Sequence, residues 1–257
     1  MPHLPSPPMP TRPLRHPPAT GGLRRWHAGC VALALWAGAT FTAQAGRPLT
    51  TEDAGVLEAG ECELEVYAGH ERQRPEGRAR GASVQGSCGV GHGAQAALAA
   101  ERVRVRGSED AGRDEGGLLS FKARLLGEDD DDPALALVGG LHWGRHDHEA
   151  FRRDSLALGL AGTLPLPQGF TAHANLGHYH DHAERQRSTF WALALEKALT
   201  DTVDLGAELY GDDRGRPWRG LGLRWAATPS LTVGTSYAVQ AGAGRARLVT
   251  VGVTLGF

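Results

Sequence analysis

The chain has 257 residues, with 27 Lys and Arg against 29 Asp and Glu, a formal net charge of −2 and 36 glycines. Charge this near balance, with the basic residues scattered rather than gathered on one element, excludes a nucleic-acid-binding protein, and no nucleic-acid partner is expected. Long aliphatic runs are absent, which excludes a parallel α/β core, and the glycine content suits tight turns and crowded sheet faces.

Met1 to Gly22 is rich in proline and lacks periodic apolar residues, so it reads as disordered. Arg24 and Arg25 then precede a short apolar run, Ala28 to Phe41, followed by Thr42-Ala43-Gln44-Ala45. A charged region, an apolar region and an A-x-A site in that order make a secretory signal peptide, with cleavage near Ala45. The chain thus divides into a leader, residues 1–45, and one domain, residues 46–257. The apolar run is too short to span a bilayer as a helix, and nothing after it approaches the roughly eighteen apolar residues a helical span needs.

The domain opens with Arg47-Pro48-Leu49, the acidic Glu52-Asp53-Ala54, Gly60 and Glu63-Leu64-Glu65. This stretch resembles the N-terminal part of a family of outer-membrane proteins labelled after the MetA pathway of phenol degradation. The resemblance implies a transporter-like β-barrel of undefined substrate, and it brings no catalytic residues.

From Glu61 onwards the domain reads as a meander of strands. Residues 61–70 alternate Cys62, Leu64, Val66 and Ala68 with Glu61, Glu63, Glu65 and Tyr67. A polar loop, 71–80, returns the chain to a strand over 81–88. A glycine-rich turn leads to a third strand, 94–106, whose alternation slips near Glu101. After a charged loop, 107–116, come strands over 117–126 and 134–145. The second half repeats the rhythm with a loop at 146–154 and strands over 155–164, 170–180, 188–197, 203–211, 218–227 and 231–241. The closing stretch, Ala246 to Phe257, alternates Val249, Val251, Val253, Leu255 and Phe257 with Thr250, Gly252, Thr254 and Gly256. A soluble domain that stopped on such a strand would expose a sticky edge, which a closed barrel removes. This strand resembles the last strand of bacterial outer-membrane proteins, whose terminal aromatic is read by the barrel assembly machinery.

The expected architecture is therefore an all-β, antiparallel up-and-down transmembrane barrel of about twelve strands in the outer membrane of a Gram-negative bacterium, with outer-membrane lipid against its apolar face. Turns after even strands tend to be short and those after odd strands longer and more charged, which fits periplasmic turns opposite extracellular loops and places both termini in the periplasm. Glu63, Glu65, Lys122, Arg124, His173, Asn175, Glu196, Asp204, Glu208 and Arg224 fall on the face opposite the aliphatic residues. A Lys or Arg facing lipid at mid-depth costs about 2 to 4 kcal/mol, so these ten are expected to line the lumen. A twelve-stranded lumen should be narrow, polar and partly plugged.

Two readings of such a lumen stand open. One is a passive or gated pore for a small-molecule solute. The other is a structural or adhesive barrel with a closed lumen, whose charges only neutralise one another. A lipid hydrolase in the barrel wall is a third possibility, with Ser155, Ser188, Asp147 and His148 as its candidates, but no serine stands in a G-x-S-x-G context. No enzymatic activity is expected. Two loops are rich in histidine, and His146, His148, His178, His180 and His182 would form a divalent transition-metal site at the extracellular mouth if they converge. No other cofactor is expected. A hairpin register centred near Pro75 sets Cys62 opposite Cys88, close enough for a disulfide in an oxidising compartment.

Overall fold

The computed structural model describes residues 49–73, 77–107, 111–127, 132–182, 185–242 and 245–257. The expected leader, 1–45, lies outside them. Twelve strands run in chain order: β1 (Cys62–Gln73), β2 (Gly77–Gly91), β3 (Ala94–Arg106), β4 (Gly112–Leu126), β5 (Ala134–His146), β6 (Arg152–Leu166), β7 (Phe170–Asp181), β8 (Gln186–Thr200), β9 (Val203–Asp212), β10 (Trp218–Thr228), β11 (Leu231–Gln240) and β12 (Arg247–Gly256). Each pairs antiparallel with its sequence neighbour, and β12 returns to β1 to close the barrel. The seam runs from Glu63 opposite Gly256 to Arg72 opposite Arg247. Its end is fixed by two backbone bonds of 2.8 Å, from the Cys62 N–H to the Phe257 carbonyl and from the Phe257 N–H to the Cys62 carbonyl.

Alternation sets which side chains face out. Leu64, Val66, Val84, Leu98, Leu119, Leu158, Leu176, Leu193, Leu209, Leu221 and Val251 all stand exposed on the outer wall. A continuous aliphatic belt of this kind is an aggregation surface in water and a fitting one in lipid. Trp225 and Tyr237 are also exposed on the outer wall, towards opposite ends of the belt, where amphipathic rings favour the membrane interface. At the end that holds Phe257 the β2–β3, β8–β9 and β10–β11 turns are two residues each. Between β2 and β3, for example, His92 and Gly93 have φ of 57° and 64°, as a two-residue hairpin requires.

The strands at the opposite end are longer than the sequence suggested. Residues 71–73 and 77–80 of the expected loop 71–80, residues 112–116 of the expected loop 107–116, and residues 146 and 152–154 of the expected loop 146–154 lie in strands. The reason is an inversion of the two faces. On β3, Leu98 faces out and Gln95 and Ala97 face in, but further along Arg102, Arg104 and Arg106 face out while Val103 and Val105 are buried inside. Above the lipid belt the barrel faces water, so its pattern becomes that of a soluble barrel. The alternation expected to slip near Glu101 does not slip; its polarity reverses.

Candidate functional site

All ten residues expected in the lumen point inward. Glu63, Glu65, Lys122, His173, Asn175 and Glu208 are buried there, and Arg124, Glu196, Asp204 and Arg224 are half-buried. A wide water-filled channel would wet these groups, yet Glu65 is 0% exposed and Lys122 3%. Their burial has a cause that strand periodicity does not contain. Residues 49–60, between the expected cleavage site and β1, run up the inside of the barrel.

This segment has no ladder of its own, so its backbone polar groups are satisfied by inward side chains. At its inner end, Glu208 Oε2 accepts from the Thr50 N–H at 2.7 Å, the Thr51 N–H at 2.9 Å and the Thr51 hydroxyl at 3.0 Å. Asn175 grips Glu52 on both backbone sides, its Oδ1 accepting from the N–H at 2.7 Å and its Nδ2 donating to the carbonyl at 2.8 Å. The Ala54 N–H donates to Thr163 Oγ1 at 2.8 Å, and the Leu57 N–H donates to Gln95 Oε1 at 2.9 Å. Lys122 Nζ donates to the Asp53 carbonyl at 2.9 Å and forms ion pairs with Glu52 and Asp53, each at 3.2 Å. Arg124 reaches the Val56 carbonyl at 3.3 Å and the Glu58 carboxylate at 3.2 Å. Leu49 lies over Gly206, where a Cβ would meet its Cδ1 at 2.7 Å and push the Leu49 side chain aside. At the other end a bridge between Ala59 and Gly89 ties the segment to the barrel rim.

The fit is close. Between Glu52, Gln95, Ser120 and Lys122 remains a void of about 10 Å³, room for one water at most. The segment also joins a second network, because Thr163 Oγ1 lies 3.0 Å from His173 Nδ1 and His173 Nε2 lies 3.6 Å from Glu196. Arg224 then links Glu196 at 3.1 Å to Asp204 at 3.0 Å. Towards the loop-side end the wall turns apolar inside. Tyr67 packs with Ala79, Val103 and Val105, and Trp218 stacks on Tyr210 at 6.1 Å beside Ala238 and Ala246.

The histidines do not converge. His146 faces the inner mouth, 2.6 Å from Asp114, while His178 and His180 project from the outer face of β7. His178 is held by Thr189 at 2.9 Å, His180 packs edge-on against His182 at 4.5 Å, and His148 is exposed in the β5–β6 loop. Among the described residues no three His, Cys, Asp or Glu side chains gather as a metal ion requires. The reason is strand parity: residues read as one loop lie on opposite faces of the barrel wall. His142 is buried inside between Glu101 at 2.9 Å and Asp154 at 3.5 Å. The Ser188 hydroxyl donates to Asp213, and chiefly this bond holds the Asp213 carboxyl below the usual carboxylate range. Ser188 thus has a carboxylate where a hydrolase serine needs a base. Cys62 and Cys88, opposed in register, are joined as a disulfide.

Comparison with solved structures places the fold among outer-membrane barrels. A COG4313 outer membrane channel from Pseudomonas putida F1 superposes with a TM-score of 0.56 at 10% identity, over 80% of this chain and 98% of that one. The KdgM porin in complex with disordered oligogalacturonate gives a TM-score of 0.54 at 11% identity, over 75% and 99%. The NanC porin gives 0.52 at 10% identity, over 75% and 98%. No curated protein sequence matches the chain. Residues 31–257 match the family described as "Uncharacterised conserved protein UCP029691", and the chain belongs to that family.

Proposed function

We propose that this protein is an outer-membrane pore for small solutes whose lumen is held shut by its own residues 49–58. The observation that carries this reading is the manner in which the segment is held. It is fixed by single side-chain contacts spaced along an irregular backbone, not by a β-ladder, so it can leave without unzipping the barrel. The fold likeness to porins and channels, the lipid-compatible belt and the resemblance to the MetA-pathway family support it. In this reading residues 1–45 are a leader cut near Ala45, the closing strand is handed to the assembly machinery, and no catalytic step is involved.

The inward charges give the pore a sign. Glu63, Glu65, Glu71, Glu101, Asp114, Glu196, Asp204, Glu208 and Asp212 face the lumen against Lys122, Arg124 and Arg224. Lys122 is neutralised by Glu52 and Asp53 of the segment itself. With the segment displaced, the carboxylates remain in the majority, which favours cationic or neutral solutes over anions.

Planar-bilayer recording tests this. The intact protein should show rare, small openings, and a variant lacking residues 49–58, alone or with Trp218→Ala, should show steady conductance and a cation-selective reversal potential in a salt gradient. A folded deletion variant that still does not conduct would favour the alternative, a closed structural barrel, for which the burial of Glu65 and Lys122 is the supporting observation.

A further inference from the structure

The inversion of faces at the loop-side end leaves an ordered array of arginines on the outer wall. In one row across four neighbouring strands Arg247, Arg72, Arg78 and Arg106 stand directly opposite one another. In the next, Arg80 stands opposite Arg104, and Arg104 opposite Arg113. At a strand spacing of about 4.8 Å the first row is about 14 Å wide. Like charges directly opposed on a sheet are destabilising, so such rows call for a counter-charge from elsewhere.

The described residues of the barrel do not supply it. Glu115 is the outward carboxylate on these strands at this height, and both of its oxygens are taken, by Arg102 at 2.6 Å and Arg145 at 2.5 Å. Arg72, Arg78, Arg80, Arg104, Arg106 and Arg247 are exposed and make no ion pair among the described residues. On the same strands and the same face, Val249 stands next below Arg247, and beyond Ala68, Ala82 and Ala100 the lipid belt continues with Val66, Val84, Leu98 and Val251.

We propose that this face binds the phosphate groups of an anionic glycolipid of the outer leaflet, a phosphorylated lipid A headgroup, whose acyl chains lie on the belt beneath. Guanidinium forks pair with phosphate oxygens bidentately, and two opposed arginines on neighbouring strands can share one phosphate. A soluble anion would use the arginines but gain nothing from the belt. The inference rests on the outer-membrane reading, in which the loop-side end faces outward.

The test uses the purified full-length barrel in detergent. Binding of diphosphorylated lipid A, dephosphorylated lipid A, inorganic phosphate and heparin is followed by the shift in the temperature at which the heat-modifiable band is lost. Diphosphorylated lipid A should raise that temperature, and the other three should not at equal concentration. The variant Arg72→Gln, Arg78→Gln, Arg104→Gln, Arg106→Gln should need about tenfold more lipid for the same shift. If that variant loses heat-modifiable migration, the pair Arg78→Gln, Arg106→Gln serves in its place. Equal response to dephosphorylated lipid, equal response to heparin, or unchanged lipid dependence in a folded variant overturns the proposal. A barrel that inserts and conducts yet fails these comparisons loses the lipid site alone, whereas loss of insertion itself would count against the outer-membrane reading.

Discussion

Glu208 shows how much of this molecule turns on single inward side chains. One of its carboxylate oxygens accepts three bonds from Thr50 and Thr51. In Glu208→Ala two N–H groups of the segment lose their acceptor, at about 1 to 3 kcal/mol for each that stays buried. Lys122→Ala acts on the next two residues of the same segment, leaving Glu52 and Asp53 without their cation; breaking a buried ion pair from one side costs about 3 to 5 kcal/mol. Both changes act on the closed arrangement and leave the strand ladder intact. Each variant should therefore keep its folded migration on gels while opening more often in bilayers, and an opening frequency equal to that of the intact protein would mean that these contacts do not hold the segment. The ten inward residues themselves were legible in the sequence because charge on the face opposite Leu, Val and Phe has one allowed direction in a membrane. Their partners were not. Thr50 to Glu58 has no period, and a short polar stretch before a first strand reads as a linker. The available signal was volume: inward Ala97, Ser87, Gly206 and Ala194 are too small to fill a twelve-stranded barrel, so something else must.

Among the elements, β12 and the β2–β4 wall make separate predictions. The backbone of Phe257 is paired to Cys62 on both sides, but its ring is 75% exposed and packs on little in the protein. Phe257→Ser keeps those backbone bonds, so the barrel, once formed, should be nearly as stable as before. The expected loss is in assembly, read as a reduced amount of folded protein in the outer-membrane fraction; unchanged amounts would remove the assembly role from this residue. The second prediction concerns the sections misread as loops. Arg72 and Arg80, both in the expected loop 71–80, are exposed and chemically open to trypsin, yet each lies in paired strand. Trypsin should spare the bonds after them in the unheated barrel and cut them after boiling. Rapid cutting without heat would restore the loops that the charged composition suggested. The misreading had a physical source: outward arginines beside a small inward residue, as in Arg78-Ala79-Arg80, fit a strand in water as well as lipid-facing alternation fits a strand in a bilayer, and the change of solvent along one strand looks, in sequence, like the end of the strand.

At the scale of the whole molecule, a twelve-stranded barrel encloses a space that its own inward side chains do not fill, and the chain closes that space with residues 49–58. The fold was legible because period-two alternation repeats on nearly every strand and the chain ends on one of them. The closed state was not legible, since it depends on side chains from β3, β4, β6, β7 and β9 meeting one unpatterned segment. The most direct measurement of this closure is the reactivity of a thiol placed within that segment. Thr51 is 8% exposed and its hydroxyl is bonded to Glu208 inside the lumen. In Thr51→Cys, with the Cys62–Cys88 disulfide intact, a bulky water-soluble maleimide should react slowly with the folded, unheated barrel and fully after boiling in SDS. Fast labelling of the folded barrel, at the rate of an exposed control such as His148→Cys in the β5–β6 loop, would contradict the claim that this segment closes the pore.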